Sequence, residues 1–134
     1  MTLSPYYVHA EGCEAVFTVT PPKIKFGPGA LREVGHDARA HCITRAALFT
    51  DANVAGLGSV ATVTNALKDT GIDVAIYDAV EVEPTDKSFK AAIEFAKKGN
   101  FDGFISVGGG SSIDTAKAAA LYTSHPPDDF LDYV

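Results

Sequence analysis

The chain has 134 residues, 46% of them hydrophobic and 21% charged, with a formal net charge of −6 from 11 basic and 17 acidic side chains. This is the size and composition of one globular domain with room for a real core. The acidic balance lacks the electrostatic footprint of a nucleic-acid binder, since lysines cluster only as the pairs Lys23/Lys25 and Lys97/Lys98, and no apolar run reaches membrane-spanning length.

Residues 1–15 are weakly patterned and read as a peripheral segment of a single 1–134 domain. They lack a basic start followed by an apolar core, and they lack arginine, so neither a secretory nor a mitochondrial leader is legible. Cys13 and Cys42 make no C-x-x-C pair. A reduced, cytoplasmic home is therefore the expectation.

In chain order, Val16 to Thr20 reads as a strand stopped by Pro21-Pro22, and Lys23-Ile24-Lys25-Phe26 alternates like a partner strand stopped by Gly27-Pro28-Gly29. Ala30 to Ala40 carries Leu31, Val34 and Ala38 at helical spacing. Ala46 to Thr50 is a short apolar strand ending at Asp51. Val60 to Leu67 predicts a helix with Gly71 as its stop, and Val74 to Tyr77 a strand ending at Asp78. Asp86 to Lys98 is the cleanest helix, with Phe89, Ala92, Ile93 and Ala96 on one face, Thr85 or Asp86 as cap and Gly99 after its basic end. Phe104 to Val107 is a third strand of this series, and Ser111 to Tyr122 a last helix. Such alternation predicts an α/β fold, a Rossmann-like parallel sheet flanked by helices, with ligands at the carboxyl ends of the strands. The apolar ending Asp129-Phe130-Leu131-Asp132-Tyr133-Val134 suggests an interrupted, longer protein, or else a short helix folded back on the core.

The chemistry concentrates in Gly108-Gly109-Gly110-Ser111-Ser112, between the third strand and the last helix. Three glycines there can form a flexible turn, or can bring bare main-chain N–H groups and a helix N-terminus against a diphosphate. The strand–turn–helix context favours the phosphate cradle, although neither G-x-G-x-x-G nor G-x-x-x-x-G-K-[ST] is present. Ser111 and Ser112 can donate to phosphate or cap the helix. Asp51 can accept from ribose hydroxyls or cap a helix. Asp114, expected in the first helical turn, would face away from phosphates, and Lys117 three residues on could form a surface ion pair with it. His9, His36, His41 and His125 have no metal-ligand spacing.

The run from Gly108 to Lys117 (GGGSSIDTAK) resembles the signature of the iron-containing (group III) alcohol dehydrogenase family. Lys25-Phe26-Gly27-Pro28-Gly29-Ala30 is similar to that family's opening segment, Phe49-Thr50-Asp51 to its strand with an adenosine-side aspartate, and Glu83-Pro84-Thr85 to its Asn-Pro-Thr turn, with Glu83 replacing asparagine. Within the family, Val82 to Asp86, Ala91 to Ala96 and Asp129 to Val134 look like a subgroup that shuttles hydride between a hydroxy acid and an oxo acid, such as 4-hydroxybutyrate and 2-oxoglutarate. The resemblance implies an NAD-dependent oxidoreductase, with NADP as an alternative cofactor, acting on a small alcohol, hydroxy acid or oxo acid. It implies a homo-oligomer with no nucleic-acid or membrane partner. By carry-over, Gly108, Gly109, Gly110, Ser111 and Ser112 would hold the pyrophosphate and Asp51 the adenosine side, with Asp114 and Lys117 in the signature. A divalent metal, iron or zinc, would belong to a helical C-terminal domain beyond Val134, so no catalytic or metal residue is expected in this segment. The alternatives are a stand-alone nucleotide-binding module and a sugar-phosphate cyclase of the dehydroquinate synthase kind.

Overall fold

The structure is a computed structural model and describes residues 20–133. A 3-10 turn (Ala30–Glu33) runs into α1 (Val34–Ala40). Then come β1 (Arg45–Phe49), the one-turn α2 (Ala52–Ala55), α3 (Gly58–Asp69), β2 (Asp73–Tyr77), α4 (Asp86–Gly99), β3 (Gly103–Ser106), α5 (Gly110–Ser124) and a second 3-10 turn (Phe130–Tyr133). The three strands form one parallel sheet in the order β2-β1-β3.

The central strand explains the sheet. A parallel strand covered on both faces must be apolar at every position rather than at alternate ones. Ala46, Ala47, Leu48 and Phe49 are all fully buried. Ala46 and Leu48 point to a cluster with Ala38, Val60, Val63, Leu67 and Ile72, supplied by α1 and α3 and the turn into β2. Ala47 and Phe49 point the other way, to Val80, Ala92, Ala96, Ala116 and Ala119. The β1–β2 crossover therefore covers one face and the β2–β3 crossover the other. Where winding reverses like this, a crevice opens beyond the carboxyl ends of the two strands concerned, here β1 and β3.

Small residues set the layer spacing. A Cβ on Gly35 would stand 2.0 Å from the Ala66 carbonyl oxygen, so only glycine lets α1 approach α3 this closely. Ala92 and Ala96 of α4 share a cluster with Ala116 and Ala119 of α5. At the start of α4, Thr85 accepts from the Ser88 amide while the Ser88 hydroxyl accepts from the Thr85 amide, a reciprocal capping box. Gly71 has φ +80° and follows α3 as its stop.

Several expectations are corrected. Lys23 to Phe26 is not a strand: no ladder forms, Ile24 and Phe26 are exposed, and Lys25 Nζ instead reaches Glu33 and Asp37 at 2.7 Å each. A two-residue period is satisfied only when a second strand supplies the hydrogen bonds. The predicted strand at Val16–Thr20 lies, except for Thr20, outside the described residues. Gly99 does not end α4. It is the last helical residue, and Asn100 takes the left-handed position with φ 50°. A Cβ on Gly99 would lie 1.9 Å from the Phe101 ring, so the glycine serves packing rather than termination. Near the C-terminus the Phe130–Tyr133 turn folds back, with the Tyr122 hydroxyl donating to the Phe130 carbonyl at 2.6 Å.

At the amino ends of the strands, Asp102 ties β3 to β1. Its carboxylate accepts from the Thr44 hydroxyl and from the amides of Thr44 and Arg45. Those donors, the Thr44 hydroxyl first, hold its pKa below the ordinary aspartate value. A depressed folded-state pKa adds stability above the unfolded value near 4, and that stability is lost as pH falls through the folded value. Acid titration of unfolding should therefore show a loss of stability below about pH 4 that is smaller in Asp102→Ala, which is already weaker at neutral pH. Equal acid sensitivity of the two proteins would contradict this. Because the group is exposed, the effect is modest.

Candidate functional site

The crevice beyond β1 and β3 is framed by Thr50-Asp51 on one side and Gly108-Gly109-Gly110 on the other. β3 and β1 hold these two exits together: the Val107 amide donates to the Phe49 carbonyl at 3.0 Å, one residue before the glycines. Gly108 has φ +152°, and a Cβ there would lie 2.5 Å from Ser112 Oγ. Glycine is required by both conformation and space. Gly109 and Gly110 face open space: a Cβ at either would meet nothing within 4 Å.

Helix N-termini on this edge differ in how their amides are satisfied. Asp51 Oδ1 accepts from the amides of Asn53 and Val54 at 2.9 and 3.1 Å and so closes α2. Thr85 closes α4. α5 opens from Gly109 with no side-chain cap. Among the described residues, the amides of residues 108–112 donate to no protein acceptor. Unpaired donors at the N-terminus of a fifteen-residue helix carry roughly half a unit of positive charge. They are complementary to a phosphate. The surrounding side chains are not: Asp51, Asp78, Glu81 and Glu83 all lie on strand exits or in the loop after β2. Burial, then Glu81 and Asp78, pushes the Tyr77 hydroxyl above its ordinary pKa, so it stays protonated at neutral pH. Attraction for an anion here comes from the main chain.

The predicted site residues fall as follows. Ser111 is half-buried, and its Oγ accepts from the Glu83 amide at 3.4 Å, which ties the loop after β2 to the start of α5. Ser112 is 1% exposed, and its hydroxyl has no partner. Its Oγ is tucked against the position a Gly108 Cβ would take. Asp51 caps a helix and lies beside the glycine loop at once: its Oδ2 is 3.6 Å from the point a Gly108 Cβ would occupy. Asp114 is not in the first turn of α5, because the helix begins at Gly110 rather than Ser111. Asp114 and Lys117 are both exposed, and no ion pair joins them among the described residues. Two contributors went unread in the sequence: the Glu83 amide, presented by a left-handed residue at φ 57°, and Thr50, whose fully buried hydroxyl is unpartnered at the β1 exit. Among the described residues no group of three or more His, Cys, Asp or Glu side chains gathers to hold a metal.

A parallel α/β sheet wound in opposite senses about β1, with an uncapped glycine-led helix at the reversal, defines a doubly wound α/β class of fold. Comparison with known proteins is more specific. The profile of iron-containing alcohol dehydrogenases matches residues 21–134, and the chain belongs to that family. It is 52% identical over 118 residues to the mitochondrial hydroxyacid-oxoacid transhydrogenase of Bos taurus, covering 88% of this chain and 25% of that protein. The Xenopus laevis protein of the same name is 48% identical over 125 residues, covering 93% and 27%. The chain thus spans about a quarter of the length of the curated relatives it matches. Among solved structures, a 1,3-propanediol oxidoreductase superposes with a TM-score of 0.73 at 31% identity, over 78% of this chain and 27% of that one. An NADH-dependent butanol dehydrogenase A from Thermotoga maritima does so with a TM-score of 0.73 at 28% identity, over 86% and 29%.

The cytoplasmic expectation is corrected by these relatives, which are named mitochondrial. It rested on the composition of residues 1–15 and on two cysteines that make no C-x-x-C pair, and neither is a gauge of an import signal in a chain that spans a quarter of its relatives.

Proposed function

We propose that this chain is the dinucleotide-binding part of an NAD-dependent oxidoreductase that moves hydride between a hydroxy acid or alcohol and an oxo acid, ketone or aldehyde. The observation that carries this reading is the set of unpartnered amides at residues 108–112 in front of the open space at Gly109 and Gly110. The donors suit a diphosphate, and the absence of Cβ atoms lets it approach. Gly108 shapes the turn, the amides of Gly110, Ser111 and Ser112 bind, and the Ser111 hydroxyl has its proton free to donate because it accepts from Glu83. Asp51 lies toward the adenosine ribose and favours NAD, since its carboxylate repels a 2′-phosphate. Asp114 and Lys117, exposed on α5, are assigned to the cofactor through the family signature they belong to.

The nicotinamide supplies the hydride chemistry when bound. A divalent metal that polarises the substrate oxygen suits the family. The described residues provide no donor set for one, so no step is assigned to it. The transhydrogenase relatives support a hydroxy acid and an oxo acid as the two substrates and a mitochondrial home.

The test uses the protein at its full natural length, purified without added cofactor and incubated with a hydroxy acid deuterated at the carbinol carbon together with an unlabelled oxo acid. Deuterium should appear in the new hydroxy acid, and native mass spectrometry should show bound dinucleotide. No transfer, with or without added NAD and divalent metal, would overturn the proposal.

A further inference from the structure

Beneath the glycine loop two polar atoms converge on one point. Ser112 Oγ lies 2.5 Å, and Asp51 Oδ2 3.6 Å, from where a Cβ on Gly108 would stand. Asp51 Oδ1 is already committed to the amides of Asn53 and Val54. Its Oδ2 accepts from no protein donor among the described residues. The Ser112 hydroxyl is buried and donates to nothing. A buried hydroxyl without an acceptor is unfavourable, and a carboxylate oxygen with spare lone pairs is the stronger kind of partner. Because Gly108 lacks a Cβ, the space beside both atoms is unfilled.

We propose that Ser112 is a positioning residue for Asp51. When a dinucleotide settles the loop, the Ser112 hydroxyl donates to Asp51 Oδ2 and fixes the carboxylate against the ribose. The serine then contributes to the choice between NAD and NADP without touching either. This rests on the reading of Asp51 and the loop given above. It differs from it in one respect: the diphosphate is held by the Ser112 amide, which any residue would supply, and the selectivity by its hydroxyl, which few would.

A double-mutant cycle on the protein at its full natural length tests this, with NAD and NADP affinities measured by calorimetry on each variant. Ser112→Ala should reduce the NAD-over-NADP preference at least about tenfold, the size of one lost hydrogen bond to a charged group. Ser112→Cys keeps the side-chain shape, slightly enlarged, with a weaker donor and should fall between. In an Asp51→Ala background, Ser112→Ala should leave the ratio unchanged, because the group it positions is gone. An unchanged ratio in the single variant, or an equal change in both backgrounds, overturns the proposal while leaving dinucleotide binding intact. Absence of binding by the unaltered protein would instead remove the underlying reading, and this inference with it.

Discussion

Gly109→Leu should lower NAD affinity at least about a hundredfold and leave the fold untouched. Gly109 precedes α5 with φ −87° and ψ −163°, an extended conformation open to any L-residue. A Cβ there would meet nothing within 4 Å beyond its chain neighbours, so a side chain can branch from this position without strain. The side chain would instead stand where a diphosphate must approach the amides of residues 110–112. Losing two charge-assisted hydrogen bonds at ~1.5–3 kcal/mol each more than covers a hundredfold loss. Calorimetry should show binding abolished or reduced on that scale, with an unchanged thermal midpoint. Retained affinity would mean that the dinucleotide does not use this helix start. Gly108 is a poorer probe, because a Cβ there would collide with Ser112 and confuse binding with folding.

The largest stability effect is expected from Phe49→Ala, about 3–5 kcal/mol. Phe49 is fully buried in the central strand. Its ring lies 5.6, 5.9 and 6.4 Å from those of Tyr77, Phe95 and Phe104, so truncation removes the hub of an aromatic layer between sheet and α4. The sheet cannot collapse around the gap, because Ala46, Ala47 and Leu48 hold both faces of β1 in place. In urea the midpoint should fall with the slope unchanged. A midpoint within error of the unaltered protein would contradict this packing account.

Which elements were legible follows from where their stabilising partners lie. β1, β2, β3, α3, α4 and α5 carry their own signals: apolar runs at strand length, and apolar residues at helical period with caps beside them. Their bounds shifted by a residue or two, as at Gly110. Lys23 to Phe26 shows the limit. Its alternation is real, but a strand needs a ladder from elsewhere in space. Gly99 was misread because glycine after a basic turn usually ends a helix, and nothing local announces that the Phe101 ring will lie against it. Within the candidate site, the glycines and Asp51 were visible by type and position. The burial of the Ser112 hydroxyl, the Glu83 amide aimed at Ser111 and the nearness of Asp51 to Gly108 were not. The last depends on β1 and β3 being neighbours, which is a fact of sheet order rather than of sequence spacing.

The most direct test of the account is a crystal structure of the protein at its full natural length with NAD bound. Diphosphate oxygens about 2.7–3.2 Å from the main-chain nitrogens of Gly110, Ser111 and Ser112 are the predicted result. A diphosphate lodged elsewhere, with those nitrogens turned to protein acceptors, would contradict it.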